Sequence, residues 1–204
     1  TGGLIVQRQI LVLRDDRCVL LADAVLPTSG EDQPLTNLRY TSRLPLAAKV
    51  ETEPEQETRE IYLRDKKRRG LVIPLSASEW RVGPTDAALK ETDDRHLLLT
   101  ASGKGRLYAP LWFDFHSRRL RRKRTWRQLT VAENLRINTP HEAVGYRVQT
   151  GSEHWAIYRS LAGEACRSML GKHIVAEFYC SHFEPSDGSH DDLVTVDDNE
   201  SEDA

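Results

Sequence analysis

Between Ser117 and Arg127 the chain carries seven cations, Arg118, Arg119, Arg121, Arg122, Lys123, Arg124 and Arg127, with Trp126 among them. Guanidinium groups form paired hydrogen bonds to sulfate, carboxylate or phosphate, and an indole face stacks on a sugar or a base. The cluster therefore reads as a candidate surface for an anionic ligand. A solvated hairpin tip, whose charge deters edge-to-edge pairing, would produce the same pattern.

A second group lies just before it. In the alternating run from Arg106 to His116, Tyr108, Trp112, Asp114 and His116 fall on one side of a strand. A neighbouring carboxylate can orient an imidazole for proton transfer, or the two can supply part of a metal's ligand set. Asp114 and His116 are thus catalytic candidates, although polar residues at the edge of a sheet would look identical. The third group, His182, Glu184, Asp187, His190, Asp191 and Asp192, is oxygen-rich and offers His182 and His190 as metal-ligand candidates. It lacks the fixed spacing of a metal motif, and Pro185, Ser186 and Gly188 read as a turn. No phosphate-cradling glycine loop, GxSxG elbow, zinc ribbon or dinucleotide-binding unit accompanies these groups, which weighs against the common enzyme classes.

The elements that must position these residues are strands. Val144, Tyr146 and Val148 share one side of a strand, with Arg147 and Gln149 on the other. After Thr150-Gly151-Ser152 a second strand runs from Glu153 to Leu161 with Trp155 and Ile157 inward, and a third runs from Ile174 to Phe183. Cys18, Leu20, Ala22 and Ala24 share a face in an opening hairpin whose turn is Arg14–Arg17, and Asp23 lies on the other face. Further strands are predicted at Leu38–Val50, Arg59–Leu63, Leu71–Leu75, Trp80–Val82, Ala87–Leu89, Leu97–Ala101 and Arg127–Asn134. Pro27–Pro34 and Glu51–Glu57 are predicted as exposed connections. About a dozen strands without a sustained helical period predict an all-β chain with little helix. Two packed antiparallel sheets bury more of its apolar residues than one flat sheet would.

Composition agrees. The 204 residues include 39% hydrophobic and 29% charged residues, which suits a folded domain rather than a disordered chain. No apolar run approaches the ~20 residues of a membrane helix, and no charged-then-apolar signal segment opens the sequence. Residues 191–204 hold seven acids and no base, leaving residues 1–190 at +5 against a whole-chain charge of −2. A mildly basic body suits an anionic partner. Three cysteines without a CxxC pair read as buried thiols rather than a disulfide framework. Residues 1–196 are expected to form one β-sandwich domain, a fragment of a longer chain because Thr1 is not an initiator Met. Residues 197–204 are expected to be a disordered acidic tail.

The strings LTVAENL (129–135), AVGYRVQTG (143–151), HWAIYRSL (154–161) and IVAEFYCSHF (174–183), with the opening QRQILVLRDDRCVLLADAVL, resemble the C-terminal β-sandwich of heparinase II/III-like proteins over most of residues 4–196. The resemblance implies a parent in which an α-helical toroid precedes the sandwich and acidic polysaccharides are cleaved by β-elimination. It also implies that the main catalytic residues sit on the missing N-terminal helical domain, and that certain members hold a structural divalent metal. No histidine here matches a motif of that family. The expected function is therefore an accessory, non-catalytic sandwich contacting acidic polysaccharide through residues 118–127. The alternatives are a ligand-free packing module or a catalytic or metal site at Asp114 and His116. No cofactor, nucleic-acid partner or membrane partner is expected, and an extracytoplasmic location follows only from the resemblance.

Overall fold

The structure, a computed structural model, describes residues 3–28 and 36–197. Most of the loop expected at 27–34, and the acidic tail from residue 198 onward, lie outside the described residues. In chain order the strands begin with β1 (Leu4–Leu13), β2 (Cys18–Pro27), β3 (Asn37–Pro45), β4 (Glu51–Pro54), β5 (Ile61–Asp65) and β6 (Lys67–Pro74). The next six are β7 (Ala87–Glu91), β8 (His96–Lys104), β9 (Leu107–Asp114), β10 (Arg124–Leu129), β11 (Ala132–Glu133) and β12 (Arg136–Ile137). The last six are β13 (Ala143–Thr150), β14 (Glu153–Ser160), β15 (Arg167–Met169), β16 (Lys172–Ile174), β17 (Phe178–Glu184) and β18 (Ser189–Val196). The only helical element among the described residues is a 3-10 turn at Arg119–Arg121.

All strand pairs are antiparallel, and the fold is an all-β sandwich. Its central pair is a six-stranded sheet, ordered β1-β2-β9-β6-β5-β4, facing a five-stranded sheet ordered β10-β13-β14-β17-β18. Between them lie Leu20, Ala22, Ile73, Tyr108, Trp112, Trp126, Tyr146, Val148, Trp155 and Ile157. The rings of Trp112 and Trp155 meet across this layer at 5.4 Å, a contact adding about 0.5–1.5 kcal/mol to the area they bury.

Each central sheet is covered on its outer face as well. β3-β8-β7 packs on the six-stranded sheet through Leu38, Leu89, Leu97, Leu99, Val72, Ala109 and Leu111. The short sheet β12-β11-β15-β16 packs on the five-stranded sheet through Val131, Met169, Ile174, Ala156, Tyr158 and Tyr179. Four layers therefore enclose three cores. This explains why β9 and β14 carry large side chains on both faces: each is buried from two sides.

Several local expectations change. Glu51–Pro54 is an edge strand, where Pro54 at the end costs no ladder bond. Trp80 makes only an isolated bridge with Thr58, and both Trp80 and Val82 are exposed. The run from Ile174 to Phe183 divides, with Ile174 ending β16 in the four-stranded sheet and Phe178 starting β17 in the five-stranded one. Cys18 and Cys180 are buried thiols, but Cys166 is exposed because it lies in the connection before β15. Burial pushes the Cys180 thiol up to about 12.

Candidate functional site

The basic cluster divides into two populations. Arg119 is buried in the polar end of the main core. Its Nε and Nη2 donate to the Asp114 carboxylate at 2.8 and 3.0 Å, and it also donates to Glu153 and to the Asp16 carbonyl. Burial pulls the guanidinium pKa down, but hydrogen bonding to Asp114 and the surrounding negative charge more than offset this, leaving it raised. Arg124 donates to buried Glu60, to the Tyr62 hydroxyl and to the Arg122 carbonyl. Trp126 is 2% exposed and its Nε1 donates to the Ala77 carbonyl at 3.0 Å. These three residues tie the segment to the core and are not free to meet a ligand. The expectation that they bind one is corrected on that ground.

Arg118, Arg121, Arg122, Lys123 and Arg127 are exposed. Arg118, Arg121 and Arg122 line a groove of about 840 Å³ with three further cations from the β5–β6 hairpin, Lys67, Arg68 and Arg69. The register brings the two segments together. Leu71 of β6 pairs with Asp114 at the end of β9, so the hairpin tip and the segment after β9 emerge side by side. Lys66, at positive φ, turns that hairpin tightly. Phe115 lies in the groove 42% exposed, its ring stacked on Phe113 and crossing the backbone at Gly70. A Cβ at residue 70 would sit 2.8 Å from the Phe115 ring, so only glycine lets the ring lie there. Lys123 and Arg127 are not among the lining residues; Arg127 stands opposite Arg147 on the outer face of the five-stranded sheet.

Two groove cations have acidic partners. Arg68 pairs with Glu53, whose carboxyl it holds below the usual range, and Arg69 lies 3.8 Å from Asp65. Lys67, Arg118, Arg121 and Arg122 have no ion-pair partner among the described residues. Four free cations around an exposed aromatic ring can hold sulfates or carboxylates while the ring packs on a sugar face. Residues 66–69 were legible only as a turn; nothing local ties them to a segment some fifty residues downstream.

The expected Asp114–His116 pair does not form. Tyr108, Trp112 and Asp114 do share a side, but that side faces the interior between the central sheets, and Asp114 is 1% exposed. β9 ends at Asp114, and Asp114 Oδ1 accepts from the His116 backbone N–H at 2.8 Å rather than from its ring. Both carboxylate oxygens are engaged by Arg119, so Asp114 does not orient the His116 ring. Burial also pushes the phenols of Tyr108 and Tyr146 up, so neither ionises near neutral pH.

Comparison with models of known families, with curated proteins and with solved structures gives no match.

The two histidines proposed as metal ligands diverge. His182 points between the central sheets, where its Nε2 lies 2.9 Å from Asp16 Oδ2, an oxygen that also accepts from Trp155 Nε1 at 3.1 Å. His190 is on the opposite face of the sheet, packed against Tyr179 and Phe183 with Nδ1 2.9 Å from Ser181 Oγ. Among the described residues no group of three or more His, Cys, Asp or Glu is arranged to hold an ion, so the divalent metal that the resemblance implies does not fit these residues. The Asp16–His182 pair, which sequence reasoning missed, opens on a hollow of about 340 Å³ that Glu153, Glu184 and Asp191 also line. Those carboxylates repel an acidic polymer, which leaves the basic groove as the candidate site.

Proposed function

We propose that this chain is an acidic-polysaccharide-binding β-sandwich that serves as an accessory domain of a polysaccharide-lyase-like protein. The observation that carries the reading is the convergence of two basic segments, 67–69 and 118–122, around exposed Phe115. The resemblance to the heparinase II/III-like sandwich supports the same ligand class and a parent with a preceding helical domain. In this reading the sandwich does no bond chemistry. Arg118, Arg121, Arg122 and Lys67 hold successive anionic groups, Phe115 packs on a ring face between them, and Arg119 and Arg124 keep the segment in place.

The test is titration calorimetry with heparin, alginate and pectin, with neutral dextran and single-stranded DNA as comparisons, at two salt concentrations. If each unpaired cation releases about 0.7 counterion, four of them weaken binding about 50-fold between 50 and 200 mM salt. The triple variant Arg118→Gln/Arg121→Gln/Arg122→Gln keeps one of the four and should show only about a threefold dependence. Binding that the triple variant leaves unchanged refutes the groove. Tighter binding of DNA than of any saccharide refutes the ligand class.

A further inference from the structure

The outer edge of the six-stranded sheet is β1, and it is unusual in what it exposes. Leu4, Ile5, Val6, Ile10 and Val12 are all large, apolar and 42–64% exposed. Its pairing with β2 runs from Leu4–Pro27 to Leu13–Cys18 without a bulge. Among the described residues no element covers the far side of the strand. Proline, lysine and bulges, the usual devices that stop an edge from recruiting another strand, are missing from Leu4–Leu13.

The direction of its free backbone groups follows from the register. Thr28 N–H donates to the Gly3 carbonyl, so residues 3 and 28 form a hydrogen-bonded pair. Bonded pairs alternate along an antiparallel ladder. The N–H and C=O groups of Leu4, Val6, Arg8, Ile10 and Val12 therefore point away from β2, toward the open edge.

The sequence of this edge reads nearly the same in both directions about Arg8. Leu4-Ile5-Val6-Gln7 precedes it, and Gln9-Ile10-Leu11-Val12 follows. A second copy of β1, turned by a two-fold axis through Arg8, meets like with like. Val6 faces Ile10 of the other copy, Leu4 faces Val12, Ile5 faces Leu11, and Gln7 faces Gln9. The outward-pointing residues then all fall in bonded positions, so every free backbone group from Leu4 to Val12 gains a partner. The one unfavourable pair is Arg8 against itself. That charge is already answered, because Arg8 Nε and Nη2 donate to the Asp23 carboxylate at 2.9 and 2.8 Å. Asp23 sits on β2, which draws both guanidinium groups away from the axis, and it is 3% exposed.

We propose that two copies of this chain pair through β1, antiparallel and centred on Arg8, to make one continuous twelve-stranded sheet. Such an interface is isologous and closes on itself, so it yields a dimer and not a fibre. It does not depend on the anion groove.

Sedimentation velocity tests it. At about 100 µM the wild-type chain should sediment at twice its 23.2 kDa, and dissociate on dilution. Val6→Lys/Ile10→Lys places lysine against lysine across the axis and should be monomeric. Val6→Glu/Ile10→Lys places glutamate against lysine in the same register and should recover the dimer. Both variants alter exposed positions, and melting curves verify that each is folded. Independently of any variant, amide exchange at Val6, Arg8 and Ile10 should slow as concentration rises. A wild-type chain that is monomeric throughout, or a Lys/Lys variant that still dimerises, overturns the proposal. A Glu/Lys variant that folds but stays monomeric overturns the register centred on Arg8.

Discussion

Arg119→Met is the sharpest probe of how the basic segment is divided between structure and binding. The substitution keeps side-chain length and removes the charge. It leaves Asp114, 1% exposed, without the two guanidinium contacts at 2.8 and 3.0 Å that neutralise it. Breaking one side of a buried ion pair costs about 3–5 kcal/mol, because the remaining charge stays desolvated. For a domain of this size that corresponds to a fall in melting temperature of roughly 6–20 °C. Adding Asp114→Asn removes the stranded charge, and the double variant should return to within about 2 kcal/mol of wild type. Urea and thermal melts measure all four corners of the cycle, and heparin titration is run where each protein is folded. The reasoning fails if Arg119→Met melts within about 2 °C of wild type. It fails equally if that variant weakens heparin binding as much as Arg121→Gln does while leaving stability untouched.

Two pH effects follow, one from a strand residue and one from the turn before β13. The His154 imidazole is held below its ordinary pKa by partial burial and by Arg147 nearby. The folded state therefore takes up this proton less readily than the unfolded chain, and its contribution to stability falls as pH drops below about 6.5. Proton NMR should place the His154 midpoint below that value, and Arg147→Gln should move it upward; a midpoint indifferent to Arg147 would contradict this account. Glu142 is held down at about 2 by hydrogen bonds from Arg136 and from Thr139. Its stabilisation is fully present above about 4.5 and is lost as pH falls toward 2, so Glu142→Gln should flatten the acid limb of a stability–pH curve over that window.

Much of the architecture was legible because each core face follows a period of two. Val144, Tyr146 and Val148 point into the main core as their alternation required, and Cys18, Leu20, Ala22 and Ala24 do the same from β2. What misled was β9. Its Tyr108, Trp112 and Asp114 side reads in sequence as a polar face that could hold a catalytic pair, whereas it lines the main core. In the four-layer stack β9 is covered on both faces, and two large aromatics on that side were the available sign of a second core. Arg119 could not be separated from Arg121 by sequence alone. The 3-10 turn decides between them, burying Arg119 with Leu120 and leaving Arg121 outside. The contribution of 67–69 to the groove rests on a pairing across some forty residues, which no local pattern displays.

The position of β9 has a consequence for how the protein is made. In the six-stranded sheet the hairpin β1–β2 and the meander β4–β5–β6 are bonded to each other only through β9, which pairs with β2 on one side and β6 on the other. During synthesis both halves emerge well before Leu107–Asp114 does, each with an unpaired inner edge. The strand that arrives last acts as a keystone. Its non-local pairings set a slow step, and until it inserts, both inner edges are open to wrong partners. The residue that terminates β9 is also the one that seats Arg119 and sets the two basic segments side by side, so the basic groove comes into being only when the keystone is in place.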